Sequence, residues 1–241
     1  MSGVHSDTLN TAAQDSRPKF MLDSRGRMQG LSVDIINALQ QQDPTLSITG
    51  HERFIPLPRI NKMLEVGTLD LFVGLAKTDA RQKKYRFIET PLYPLNYIAV
   101  VRADEKVDEY SIGDIESLSQ QGRVISLFGA AVSARLQRLD VEVDDGAKSV
   151  EAMLQKLVSG RGDIVFYHDL GLLNSIRDMG LESSVRVLPV SYRRYHHYLA
   201  VSNGLDPASV DKLGKALLEL HKSGRLQRIS DPYLTLPVPS P

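Results

Sequence analysis

The chain has 241 residues, a length that suits one large domain or two small ones. Lys and Arg together number 29, as do Asp and Glu, so the formal net charge is zero. This balance disfavours binding to a phosphate backbone, and we expect no nucleic-acid partner. Cysteine is absent, which excludes thiol nucleophiles, disulfides and thiolate metal sites.

The first residues lack the basic and apolar regions of a signal peptide. No apolar run approaches the roughly 20 residues that span a bilayer. The sequence therefore predicts either a cytoplasmic protein or one whose leader has been removed. At the other end, the proline-rich residues 236–241 predict a non-helical tail.

Helix and strand patterns alternate along the body of the chain. An apolar stripe over residues 32–42 predicts a first helix, and a second helix ends near Gly67. The apolar run at residues 71–73, directly after Asp70, predicts a strand that is buried on both faces.

The motif that joins the end of a helix to a buried strand occurs a second time in the sequence. The helix before this second copy can be capped by Ser149. In both copies a helix ends at a glycine, and an aspartate follows just before a buried strand. Two copies favour two α/β lobes with a sheet each, and the alternative is one larger sheet that uses the motif twice. The two copies are Leu64-x-x-Gly67-x-x-Asp70-Leu71-Phe72-Val73 and Leu157-x-x-Gly160-x-x-Asp163-Ile164-Val165-Phe166.

Two strand-like segments, residues 97–101 and 198–201, connect the halves without a Gly/Ser-rich linker. They indicate that the chain leaves the first lobe, builds the second and returns. The return leads into a helix with Asp206 as its N-cap, Pro207 in its first turn and Gly224 at its end.

The order and spacing of several short motifs resemble those of the family-3 periplasmic solute-binding proteins, the polar amino-acid-binding type that serves ABC importers. The resemblance covers residues 8–234. It is carried by Pro18-Lys19-Phe20 with Asp23, by Gly30-Leu31-Ser32-Val33-Asp34, by Gly67-Thr68-Leu69-Asp70 with Gly74, Thr78 and Arg81, by Pro91-Leu92-Tyr93, and by the helical end from Ala216 to Ile229.

The resemblance implies an α/β, two-lobed periplasmic-binding-protein-like fold of type II. Each lobe would hold a mixed sheet flanked by helices, and two strands would form a hinge. Lobe one would comprise residues 1–95 and 197–235, lobe two residues 100–192, and the tail residues 236–241. A small solute would bind between the lobes, in keeping with ligand binding at the carboxyl ends of strands in α/β sheets.

The resemblance also implies a periplasmic, monomeric binding protein. It would deliver a carboxylate-bearing solute, an amino acid or a related compound, to the membrane permease of an ABC importer. The alternative is a ligand-sensing domain of a membrane signalling protein, with signalling domains as its partners.

Arg81 is the first candidate ligand-binding residue in lobe one, because a guanidinium matches a carboxylate with two parallel hydrogen bonds. In the resembled family the matching arginine holds the α-carboxylate. Backbone carbonyls and a hydroxyl near Gly74 accept from the ligand ammonium in that family, and Ala76 stands where the hydroxyl is common. Further candidates are Thr78, Asp15, Arg17, which replaces the usual stacking aromatic, and Arg59.

In lobe two, the small-residue turn at Gly129 and Ala130 could present backbone N–H groups to an anion. His168 falls at the spacing where the family has an acidic residue that pairs with the ligand amine, and Asp169 follows it. Either a bulged strand turns Asp169 to the ligand, or the ligand is not an ordinary α-amino acid. The remaining alternative is that both residues cap the next helix.

The sequence contains no G-x-S-x-G, Walker, H-E-x-x-H or G-x-G-x-x-G motif. The alternation of aromatic and basic residues over residues 192–198 predicts a half-exposed strand at the hinge. A metal site shared by His196, His197 and His168 is not expected, because neighbouring His side chains on a strand point to opposite faces. We therefore expect no enzyme activity, no cofactor and no bound metal.

Overall fold

A computed structural model describes residues 7–106, 114, 117, 120, 122–139 and 141–234. The predicted tail at 236–241 lies outside the described residues. Within them the chain divides into two compact units. Unit 1 comprises residues 7–94 and 196–234, and unit 2 comprises residues 95–195.

The helices of unit 1 are α1 (Leu31–Gln42), α2 (Leu57–Val66), α3 (Asp79–Gln82), α7 (Pro207–Lys222) and α8 (Arg225–Leu234). Those described in unit 2 are α4 (Ala131–Arg138), α5 (Val150–Val158) and α6 (Asp169–Asp178).

The strands, in chain order, are β1 (Asp7–Asn10), β2 (Met21–Leu22), β3 (Met28–Gln29), β4 (Leu46–Thr49), β5 (Leu71–Ala76), β6 (Arg86–Phe87), β7 (Tyr93–Arg102), β8 (Val124–Leu127), β9 (Val143–Ala147), β10 (Ile164–His168), β11 (Val185–Val187) and β12 (Arg193–Val201). The chain passes from one unit to the other within β7 and within β12. That these strands form a hinge stays a prediction.

Unit 1 has parallel and antiparallel pairs of strands. β1 pairs in parallel with β4, and Leu9 lies opposite Ile48. β12 pairs antiparallel with both β5 and β6, and its His197 lies opposite Ala76. All six residues of β5 are buried, as the continuous apolar run predicted.

Unit 2 is likewise mixed. β10 pairs in parallel with β8 and antiparallel with β7. β8 also pairs in parallel with β9, and β11 pairs antiparallel with β7. The predicted α/β class, with strands of both directions and flanking helices, is confirmed.

The repeated sequence motif joins α2 to β5 in unit 1 and α5 to β10 in unit 2. Gly67 and Gly160 have φ angles of 77° and 70°, the left-handed conformation that ends a helix at low cost for glycine. Ser149 caps α5, since its hydroxyl accepts the Ala152 N–H at 3.1 Å. The two copies therefore produce the same local structure in different units.

The first turn of α1 holds the preceding chain in place. The N–H of Leu31 donates to the Pro18 carbonyl at 3.0 Å, and the N–H of Ser32 donates to the Lys19 carbonyl at 3.0 Å. α1 is tied to the C-terminal helix α8, because the Tyr233 hydroxyl donates to Asp34 at 2.7 Å. The backbone at residues 18 and 19 is thus fixed by the core of unit 1.

Candidate ligand-binding site

The candidate site of unit 1 lies on the segments that follow β1 and β5. The N–H of Asp70 donates to the Asn10 carbonyl at 3.0 Å, and the Asp70 carboxylate accepts the Asn10 N–H at 2.7 Å. These bonds join the end of β1 to the start of β5. The segments that follow both strands carry the chemistry, in the place where α/β sheets bind ligands.

Arg81 is held by the turn after β5. The Thr78 side chain caps the short helix α3 by accepting the Arg81 N–H at 3.3 Å. The Arg81 Nη1 donates to the carbonyl of Ala76 at 3.0 Å. Thr78 and Ala76 therefore position Arg81, whose side chain is buried with only 9% exposed.

Within the described ranges, the guanidinium of Arg81 keeps most of its donor capacity. It has five N–H groups, and the bond to Ala76 uses one of them. Among the described residues no carboxylate lies within ion-pair distance of Arg81. A buried guanidinium with open donors suits an anionic ligand, with the carboxylate as the best geometric match.

Lys19 is a second buried cation in unit 1. It lies on the segment after β1 and is only 2% exposed. Burial, and secondarily the charge of Arg81, lowers the pKa of Lys19 from 10.5 to about 7. In the described part of the chain, no hydrogen-bond acceptor or carboxylate partners the Lys19 ammonium.

Gly74 lies against Lys19 on the surface of β5. A β-carbon at Gly74 would lie 3.6 Å from the Lys19 Cδ, 3.5 Å from the Ser32 hydroxyl and 2.6 Å from the Tyr93 hydroxyl. The Tyr93 hydroxyl is also 3.3 Å from the His197 Nδ1. Glycine at this position therefore makes room for the polar side chains of its neighbours.

The remaining unit-1 candidates lie on the surface. Asp15 and Arg17 are exposed on the segment that leads to Lys19, and Arg59 is exposed in the first turn of α2. On the same segment the side-chain oxygens of Gln14 and Ser16 are buried, with no hydrogen-bond partner among the described residues. Buried polar atoms normally find a partner, so this segment offers further polar contacts.

The unit-2 candidates occupy two helix starts. Gly129 has a φ of 72° and Ala130 precedes α4 as its N-cap. His168 ends β10 in an unshifted register, and its Nδ1 accepts the Gly171 N–H at 2.9 Å. The strand therefore has no bulge at this point.

Asp169 opens α6 and is held within unit 2. One of its oxygens accepts the Leu170 N–H at 2.8 Å, and the other accepts from the Asn96 amide at 2.8 Å. His168 and Asp169 thus both support the start of α6, which is the helix-capping alternative. A ligand contact by either residue stays a prediction.

Another concave surface lies at the amino ends of β8 and β10. This groove of about 410 Å³ is lined by residues 122–123, 142 and 160–163. Arg123 forms an ion pair with Glu142 at 2.8 Å, and its N–H donates to Asp163 at 2.8 Å. These charges are paired, and the groove is opposite the strand ends where α/β sheets bind ligands.

Sequence reasoning missed Lys19, Ser32, Tyr93 and His197. Lys19 occupies the variable position of the Pro-x-Phe motif and Tyr93 belongs to another motif of the resemblance, and neither motif assigns its residue a ligand contact. No local pattern marks Lys19 as buried, because the burial of its neighbours Pro18 and Phe20 is seen only in the structure.

Comparison with known proteins assigns the family. The bacterial extracellular solute-binding proteins, family 3, match residues 9–236. The chain belongs to this family. A probable histidine-binding protein of Neisseria gonorrhoeae is 24% identical over 217 residues, which are 90% of this chain and 78% of that protein.

Solved structures share the fold. An ancestral arginine-binding protein bound to arginine has a TM-score of 0.80 at 21% identity, covering 95% of this chain and 99% of the other. A histidine kinase sensor domain with similarity to periplasmic binding proteins has a TM-score of 0.83 at 17% identity, covering 98% and 99%. The periplasmic-binding-protein fold predicted for this family-3 chain is therefore confirmed. None of the helices in the described ranges is long and apolar enough to cross a membrane.

Proposed function

We propose that this family-3 protein captures a small carboxylate-bearing solute, an amino acid or a related acid, outside the cytoplasm and delivers it to the permease of an ABC importer. The observation that carries the proposal is Arg81, a buried guanidinium without a described counter-ion at the carboxyl end of β5. Thr78 and Ala76 position this guanidinium through hydrogen bonds.

The relatives support a binding role. The gonococcal relative is named a probable histidine-binding protein, and a relative in Bacillus subtilis, 22% identical over 231 residues, is named a probable amino-acid-binding protein. Both names describe binding of an amino acid. We extend this role to the present chain as a periplasmic, monomeric receptor that is not an enzyme.

The sensor-domain alternative rests on the histidine kinase sensor structure, which covers 98% of this chain. Transport and sensing use the same capture step. They differ in the partner that recognises the ligand-bound form, which is a permease in transport and a signalling domain in sensing. In cells, loss of the gene should abolish uptake of the radiolabelled solute if the protein serves an importer. Unchanged uptake together with a lost transcriptional response to the solute would favour the sensor.

Screening of amino acids and small carboxylic acids by thermal denaturation tests the capture step. A ligand at about 100 times its Kd stabilises a folded protein by roughly 2.7 kcal/mol, so a true ligand should raise Tm by several degrees. The matching neutral amides or esters, which lack the carboxylate, serve as controls. Absence of any shift across the acids, or equal shifts with the controls, would contradict the proposed function.

A further inference from the structure

Lys19 and Arg81 together place two positive charges in one buried region of unit 1. Lys19 is 2% exposed and Arg81 is 9% exposed. The Lys19 stem lies beside Gly74, with its Cδ 3.6 Å from the position of an added β-carbon, and the Arg81 guanidinium donates to the carbonyl of Ala76, two residues further along β5. The charge of Arg81 also acts on the Lys19 ammonium. Within the described ranges neither side chain has a carboxylate partner.

Such an arrangement is costly without an anion. Removing an ammonium from water is unfavourable unless it is paired, and a like charge nearby adds repulsion. Packing does not call for the charge, because the stem of Lys19 lies beside Gly74 and an unbranched apolar side chain would fill the same space. The positive charge of Lys19 therefore indicates binding of an anionic ligand.

Hydrogen bonds of the Lys19 backbone fix the position from which its side chain extends. The Lys19 N–H donates to the Ser16 carbonyl at 2.9 Å, and the Lys19 carbonyl accepts the Ser32 N–H at 3.0 Å. The first N–H groups of α1 are thereby used by the protein itself. An anion beside Gly74 would therefore meet the side chain of Lys19 rather than these N–H groups.

We propose that Lys19 and Arg81 jointly hold two carboxylates of the solute, so that the ligand is a small dicarboxylate. This inference rests on the proposed solute-binding function and specifies its substrate class. Arg81 takes one carboxylate through its fork of N–H groups, and Lys19 pairs with the second. Each added carboxylate relieves the repulsion between the two cations.

The binding test compares acids with their amides. Wild type is titrated calorimetrically with succinate, glutarate, L-aspartate and L-glutamate, and with L-asparagine and L-glutamine. At least one dicarboxylate is expected to bind, and loss of the second charge should weaken binding by about 30-fold or more. Lys19→Met should weaken the dicarboxylate by a similar factor and remove the preference over the amide.

The stability of the ligand-free variants separates binding from structure. Lys19→Met should raise the denaturation midpoint, because folding no longer has to bury an amine and lower its pKa, and the methionine keeps the apolar stem. Lys83→Met, at an exposed lysine of the same unit, should leave both midpoint and affinity unchanged. A lowered midpoint in Lys19→Met would assign Lys19 to the scaffold and overturn the proposal.

Proton uptake gives an independent readout. Among the residues that the structure describes, the groups near Lys19 that can carry a proton or charge are Arg81, Tyr93, which lies with the Lys19 stem beside Gly74, and His197, which contacts Tyr93. A bound carboxylate favours the charged amine, so at pH 8 wild type should take up about one proton per dicarboxylate. Lys19→Met should take up almost none, and undiminished uptake would assign the proton to another group and contradict the proposal.

The outcomes distinguish failure of the dicarboxylate inference from failure of the proposed solute-binding function. If monocarboxylate amino acids bind more tightly than every dicarboxylate and Lys19→Met binds them as wild type does, the dicarboxylate inference fails and solute capture stands. If inorganic phosphate or sulfate binds more tightly than any dicarboxylate, the anion site stands but its assignment to dicarboxylates is wrong. If no member of the full acid and amino-acid panel binds, both proposals fail.

Discussion

Arg81→Ala is expected to weaken binding of the carboxylate solute by roughly 30-fold to several thousand-fold. Truncating one partner of a buried, hydrogen-bonded charge pair costs about 2–5 kcal/mol, because the other charge is left unpaired. Arg81→Lys should recover only part of the loss, since an ammonium keeps the charge but lacks the planar fork. Isothermal titration with the tightest-binding acid of the screen measures both effects.

The ligand-free Arg81→Ala protein should remain folded. The change removes one hydrogen bond to the Ala76 carbonyl and also removes the repulsion between Arg81 and Lys19. Arg25→Ala is the matched control, because Arg25 is an exposed arginine of the same unit. Wild-type affinity in Arg81→Ala would refute the site, and loss of its cooperative unfolding transition would assign Arg81 to the scaffold.

Gly74→Ala is expected to lower the free energy of unfolding by about 3 kcal/mol. The φ of Gly74 is 97°, a conformation that strains a residue with a β-carbon. The added carbon would also lie 2.6 Å from the Tyr93 hydroxyl, which must then move from its place beside His197. Urea denaturation of the ligand-free protein measures this loss.

Gly26→Ala separates the two causes of the loss at Gly74. Gly26 has a φ of 74°, is exposed, and would have no atom within 4 Å of an added β-carbon. Backbone strain alone should therefore cost it about 1 kcal/mol. Equal losses in Gly26→Ala and Gly74→Ala would show that the crowding at Tyr93 contributes nothing.

The elements that follow from local patterns were predictable. Continuous apolar runs identified β5 and β10, and Gly67, Ser149 and Asp206 marked helix ends because their conformations or side chains satisfy local backbone groups. Arg81 could also be predicted as a candidate, since only a short turn separates it from β5. In each of these cases the determining contacts lie within a few residues along the chain.

Lys19 could not be predicted because its burial depends on distant parts of the chain. Its surroundings are set by α1, by β5 and by Arg81, which lie far from it in sequence. His168 and Asp169 show the converse difficulty, because a residue at a strand end can face a ligand or cap a helix. Only the hydrogen bonds to Gly171, Leu170 and Asn96 show that these two residues stabilise the start of α6.

The path of the chain at position 19 is secured by backbone groups alone, through Ser16 before it and the first turn of α1 after it. An unbranched side chain of similar length can therefore replace lysine there without altering the fold that carries it. A single codon change at this position could convert a receptor for one acid into a receptor for another. In such a scaffold, new specificities can arise in evolution by substitution at position 19 while the protein stays folded at every step.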